Sequence, residues 1–121
     1  MQFCLELVPD VPDLYFESSA FAAAGEYLDS VADRLKIKSV YELFSYAGQD
    51  DLCPPGHEET EVPWFDPQEG IDWLNVVIAH VRGNPAAIEN AEELAQDLTA
   101  CQDVLRKAQS RGARWHFAMD I

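Results

Sequence analysis

The closing residues of the chain, RWHFAMDI at positions 114–121, decide its fold. Large apolar side chains, beginning with Trp115 and Phe117, alternate there with the polar Arg114 and His116. Alternation of period two predicts a strand with one buried face, and QFCLELV at positions 2–8 has the same period. We therefore expect an α+β fold in which the N- and C-terminal strands pair in a small, mainly antiparallel sheet, packed by three to four helices on one face.

Two strands alone make a sheet that is only marginally stable in water. A third strand is therefore expected, either from residues 12–16 or from residues 61–65. The sheet can also be completed by a second copy of the chain, so a homodimer is a further possibility. A chain of 121 residues has the size of one ordinary domain, and residues 1–121 are expected to fold as a single unit.

The residues after the first strand change to helical periodicity. One helix is predicted from Ser18 or Ser19, with an apolar stripe at three- and four-residue spacing that continues to Leu35. Ser39-Val-Tyr-Glu42 fits a capping box that opens a short helix ending near Gly48.

Two further helices are predicted in the second half of the chain. Asp66-Pro67-Gln68-Glu69 combines an aspartate cap, a proline in the first turn and a glutamate that favours the helix N-terminus, and this helix is predicted to end at Gly83. Asn84-Pro85 repeats the signal and opens a last helix that extends to Gly112.

The chain is strongly acidic: it has 22 acidic and 8 basic residues, which give a net charge of −14. No Lys or Arg lies between Lys38 and Arg82. Nucleic acids and anionic membrane surfaces reward clustered basic side chains, so both are excluded as expected partners.

The three cysteines lie far apart, without a C-x-x-C pair, which favours free thiols in a reducing cytoplasm over a disulfide framework. The first residues, MQFCLELVPD, lack the basic start of a signal peptide, and no run of about 18 apolar residues is present. A cytoplasmic protein that does not enter membranes is therefore expected.

The segment from Asp50 to Glu61 concentrates side chains capable of chemistry. The metal ligands that it offers are Cys53, His57 and Glu61, although their spacing matches no zinc motif. The same segment and the tryptophan that follows it are also a candidate docking surface for a basic partner. The residues of this surface are Asp50, Asp51, Glu58, Glu59, Glu61 and Trp64. A solvated acidic loop is the simpler interpretation.

Two other groups are candidates. Asp66, Glu69 and Asp72 lie around the start of a helix and can hold a cation or act as an acid and base, although capping of the helix N-terminus is the stronger explanation for them. If the terminal strands pair, His116 can meet Cys4 or Glu6.

No phosphate-binding, metalloprotease, hydrolase or calcium-binding motif is present, and no catalytic residue or cofactor is predicted. The leading hypothesis is a non-catalytic acidic interaction domain, similar in role to an inhibitor, immunity protein or regulator, that docks a protein with a basic surface. The alternative is a small metal-binding protein or enzyme that uses the Cys53–Glu61 loop or the Asp66–Asp72 helix start.

Overall fold

The computed structural model describes residues 1–45 and 62–120. The strands and helices of these residues are, in chain order, β1 (Gln2–Val8), β2 (Glu17–Ser18), α1 (Ser19–Ala23), α2 (Gly25–Leu35), a 3-10 helix (Val40–Leu43), α3 (Pro67–Gly83), α4 (Ala91–Ser110) and β3 (Arg114–Asp120).

The strands form an antiparallel sheet in the order β2-β1-β3. Leu5 lies opposite Phe117 and Leu7 opposite Trp115, so the apolar residues of the terminal strands share one face. The predicted pairing of the two chain ends, with helices on one face of the sheet, is confirmed.

The third strand is not at either predicted position. β2 begins just after residues 12–16, and the backbone N–H of Leu5 continues this edge by donating to the Phe16 carbonyl at 3.3 Å. On the opposite edge, Phe65 exchanges two backbone hydrogen bonds with Trp115, at 2.8 and 3.1 Å, without forming a strand. These contacts pair backbone groups that an open sheet edge would expose.

Aromatic rings from the sheet and the helices form the centre of the core. The Phe3 and Phe21 rings meet edge to face with centroids 5.0 Å apart, and Phe21 meets Phe117 in the same way at 5.2 Å. Trp115 is fully buried and its indole N–H donates to the Asp66 carbonyl at 2.9 Å. This bond fixes the start of α3 against the sheet.

The single helix predicted from Ser18 to Leu35 is divided in two. Ser18 is the N-cap, as expected, and its hydroxyl accepts from the Phe21 N–H at 2.9 Å. The helix is interrupted at Ala24, and the backbone of Gly25 then approaches the Phe3 ring so closely that a Cβ there would lie 3.3 Å from it. Leu35 is 39% exposed, so the apolar stripe ends before it.

The short helix after Ser39 is a 3-10 turn that ends at Leu43. The Ser39 hydroxyl accepts from the Tyr41 N–H at 3.2 Å, one residue earlier than a capping box requires. Phe44 is already extended and bridges Phe117, and the end predicted near Gly48 lies outside the described residues.

α3 begins as predicted, because the Asp66 carboxylate accepts from the Gln68 N–H at 2.9 Å and Pro67 follows in the first turn. The predicted start of the last helix at Asn84-Pro85 is wrong. The Asn84 side chain donates back to the His80 carbonyl at 2.9 Å, which caps the end of α3, and α4 begins only at Ala91. No helix among residues 1–45 and 62–120 combines the length and the apolar character needed to cross a bilayer.

Candidate functional site

The register of the sheet assigns alternate residues to opposite faces. Phe3, Leu5 and Leu7 face the helices, as do their partners on β3. Cys4, paired with Ala118, and Glu6, paired with His116, therefore belong to the face that the helices leave uncovered.

Three carboxylates surround Cys4 on this uncovered face. Glu17 is its partner on β2, Glu6 follows two residues later on β1, and Asp120 lies opposite the neighbouring Gln2. The pKa of the Cys4 thiol is raised to about 11, mainly by burial and further by the negative charges of Glu6, Asp120 and Glu17. We call this group of Cys4, Glu6, Glu17 and Asp120 the acidic sheet face.

Tyr15 stands beside the acidic sheet face. Its side chain is 71% exposed, and its hydroxyl donates to Glu17 Oε2 at 2.5 Å. This hydrogen bond is the main reason that the pKa of Tyr15 rises to about 12, and the charge of Asp120 contributes. The negative charges of this face thus contribute to both increases, after the burial of Cys4 and the hydrogen bond of Tyr15.

His116 is buried on this side of the sheet, with 2% of its surface exposed. Its Nε2 lies 2.8 Å from Glu6 Oε1, and its Nδ1 lies 2.8 Å from the Pro63 carbonyl oxygen. The Trp64 ring covers it with centroids 4.1 Å apart and planes at 31°. His116 thus joins β1, β3 and the segment that leads into α3.

Both partners of His116 are oxygen atoms, and the Pro63 carbonyl can only accept a hydrogen bond. Nδ1 must therefore donate, and the contact with Glu6 requires a second proton, either on the ring or on the carboxyl group. Both ring nitrogens are occupied by protein atoms, so this histidine is placed to position the Trp64 segment rather than to accept a proton from a substrate.

The pairing of Glu6 with His116 is one of the two arrangements expected if the terminal strands pair. The other, Cys4 with His116, does not occur, because Cys4 lies opposite Ala118 and its thiol donates to the Ala118 carbonyl at 3.5 Å. The raised pKa keeps this thiol protonated at neutral pH, whereas a nucleophilic cysteine needs a thiolate.

A groove of about 410 Å³ opens next to Glu6. Trp64 lines it, together with strand residues 5–7 and side chains from the segment that follows β1. The groove lining also includes Asp10, Val11, Pro12, Leu14 and Tyr15. A second groove, of about 570 Å³, lies between α1 and the start of α4, with Ala20 and Ala23 on one side and Glu89 and Glu93 on the other.

Most of the loop candidates lie outside the described residues. These are Asp50, Asp51, Cys53, His57, Glu58, Glu59 and Glu61. Trp64, the remaining member of the predicted docking surface, is half-buried, stacks on His116 and lines the groove.

The carboxylates at the start of α3 do not converge. Asp66 caps the helix, Glu69 pairs with Lys38 Nζ at 2.6 Å, and Asp72 accepts from the Gln68 side chain at 2.9 Å. Within residues 1–45 and 62–120, no group of three or more His, Cys, Asp or Glu side chains is arranged to hold a metal ion.

The sequence does not show that Asp10 and Tyr15 lie beside Glu6. The hydrophobic alternation of β1 ends before Asp10, and no pattern in residues 9–15 shows that they fold back beside Glu6. Comparison with protein-family models, curated proteins and solved structures finds no match to this chain.

Proposed function

We propose that this chain is a non-catalytic interaction domain, similar in role to an inhibitor, immunity protein or regulator, that docks a partner protein with a basic surface. The observation that carries the proposal is the cluster of Glu6, Glu17 and Asp120 around Cys4 on the sheet face that the helices leave uncovered. Complementary charge of this kind steers association and discriminates between partners.

The distribution of basic residues supports this assignment. Arg114 is the only Lys or Arg in the three described strands, and it lies opposite Val8, at the end of the sheet remote from Asp120 and Gln2. A nucleic acid or an anionic membrane surface would be repelled here. A second copy of the chain would bring the same three carboxylates against each other, so the charge favours a basic partner over a homodimer at this face.

The compartment proposed for this interaction is the cytoplasm. Cys4 and Cys101 are both free thiols, and Cys101 is fully buried on α4. Free thiols of this kind are typical of reducing compartments.

Affinity capture with charge-reversed variants tests the proposal. The Glu17→Lys/Asp120→Lys variant changes the acidic sheet face by four charge units and leaves the Glu6–His116 contact in place. The Glu26→Lys/Asp33→Lys variant makes the same change on exposed positions of α2 and serves as the matched control. Proteins captured from a lysate of the source cells are quantified for both variants and for the unmodified chain, at low and high salt.

The expected result is a set of basic proteins that the unmodified chain and the α2 control retain and the sheet-face variant loses. Retention should also fall at high salt, because exposed charges are screened within about 10 Å at 0.1 M ionic strength. Capture that is equal for both variants, or captured proteins that are neutral or acidic, would refute the proposal.

A further inference from the structure

The groove beside Glu6 lies next to a stretch of β1 that is only partly paired. It runs along residues 5–7 of β1, on the side of the sheet where β2 pairs only with Phe3 and Cys4 among the described residues. Beyond the hydrogen bond from Leu5 to Phe16, no described strand covers this edge of β1. A strand edge of this kind binds extended segments through main-chain hydrogen bonds.

The wall of the groove is held by contacts with the end of α4 and the residues that follow it. Val11 is buried in a small apolar cluster with Ala108 and Ala113. The adjacent Asp13 pairs with Arg111 at 3.1 Å, and Leu14 donates its backbone N–H to the Val11 carbonyl at 2.9 Å. The wall is therefore formed before any ligand enters, which lowers the entropic cost of binding.

The lining of the groove combines negative charge with aromatic surface. Glu6 and Asp10 contribute carboxylates, Trp64 and Tyr15 contribute rings, and no Lys or Arg is among the lining residues that the structure describes. The Glu6 side chain is 57% exposed although its Oε1 contacts His116, so its other oxygen can bind a donor. Val11, Pro12 and Leu14 provide apolar surface for an alkyl chain.

Arginine is the side chain that fits this combination. Its guanidinium group is planar, binds carboxylates through parallel hydrogen bonds and stacks on aromatic rings, while its methylene stem packs on apolar surface. Lysine offers charge but no planar group. We propose that the groove takes an arginine side chain from an extended segment of the partner, an assignment that rests on the proposed docking of a basic protein.

Three blocked five-residue peptides that differ only at the central position test the assignment: one with arginine, one with lysine and one with citrulline, which keeps the shape of arginine without its charge. Binding is followed by NMR through the Trp64 indole N–H and the backbone N–H groups of the non-proline residues in 5–15. The arginine peptide is expected to shift these signals and to bind about tenfold more tightly than the citrulline peptide, because charge-assisted hydrogen bonds are lost with the charge.

Equal affinity for citrulline would overturn the proposal, as would shifts confined to the groove between α1 and α4. Equal affinity for lysine would overturn the choice of arginine. Asp10→Asn should weaken binding of the arginine peptide severalfold, whereas Asp33→Asn, the same change at an exposed site on α2, should leave it unchanged. Trp64→Leu should also weaken binding, and its amide spectrum checks that the chain remains folded.

These outcomes separate the two proposals. If the arginine peptide does not bind but capture of basic proteins still depends on Glu17 and Asp120, the groove assignment fails and the proposed function stands. If capture is also indifferent to those charges, the proposed function fails as well.

Discussion

Replacing Gly70 by alanine is expected to destabilise the fold, although alanine is the better helix former. Gly70 lies in the first turns of α3, where the indole of Trp115 packs directly on the backbone. A Cβ at this position would lie 2.5 Å from Trp115 Cζ2 and 2.7 Å from Leu105 Cδ1. Carbon atoms in good contact are about 3.5–4.0 Å apart, so the added methyl group overlaps both neighbours by about 1 Å.

The nearer neighbour, the Trp115 ring, is rigid and held in place. Trp115 and Leu105 are fully buried, and the Trp115 indole is also held by its hydrogen bond to Asp66. Overpacking of a core costs about 1–3 kcal/mol, and a rigid ring places this case at about 3 kcal/mol. The gain in helix propensity offsets about 1 kcal/mol, which leaves a net loss of about 2 kcal/mol in the free energy of unfolding.

Gly83 provides the matched control. It is the last residue of α3, and no described atom lies within 4 Å of the position that an added Cβ would take, so Gly83→Ala should be neutral or stabilise by up to about 1 kcal/mol. Urea unfolding monitored by circular dichroism measures both variants, with equal m-values as the check of two-state behaviour. A Gly70→Ala protein as stable as Gly83→Ala would refute the close packing of α3 on Trp115.

Two further predictions concern the sheet face and the first helix. Cys4 should react slowly with iodoacetamide at pH 9, because a thiol with a pKa of about 11 is only roughly 1% thiolate at that pH. The Glu17→Gln/Asp120→Asn variant should react severalfold faster, because it removes two negative charges that raise the pKa of Cys4. Peptide mass spectrometry isolates the reaction at Cys4, and an unchanged rate would contradict the clustering of these carboxylates. Ser18→Ala should lower the free energy of unfolding by about 1–2 kcal/mol. The substitution removes the N-cap of α1, and it also removes the hydroxyl that donates to the half-buried Asp97 at 2.7 Å. Urea unfolding checks this value, and a loss below about 0.5 kcal/mol would show that the cap contributes little.

The acidic sheet face changes the interpretation of the net charge of −14. The sequence pointed to the loop from Asp50 to Glu61, which lies outside the described residues. In the structure, Glu6, Glu17 and Asp120 form an acidic surface, although they are distant from one another in the chain. The test of docking therefore begins with Glu17 and Asp120, which can be changed without removing the contact between Glu6 and His116.

The sequence alone determined the elements whose signals are local. The alternation in 2–8 and 114–120 predicted both terminal strands, because a half-buried strand needs one apolar face. Asp66-Pro67 predicted the start of α3 through the chemistry of the first helical turn. The same signal failed at Asn84-Pro85, where the asparagine side chain binds the end of the preceding helix instead.

Only the tertiary structure decided which residues meet at the candidate site. The period of the two terminal strands predicted that they pair, and this pairing left two possible partners for His116, Glu6 and Cys4. The register of the strands decides between them, and packing of the core sets that register. Trp64, Tyr15 and Asp10 reach the same groove from loops, where no periodic pattern encodes direction. Local periodicity specifies which face of an element is buried, whereas the meeting of distant loops depends on how the whole core packs.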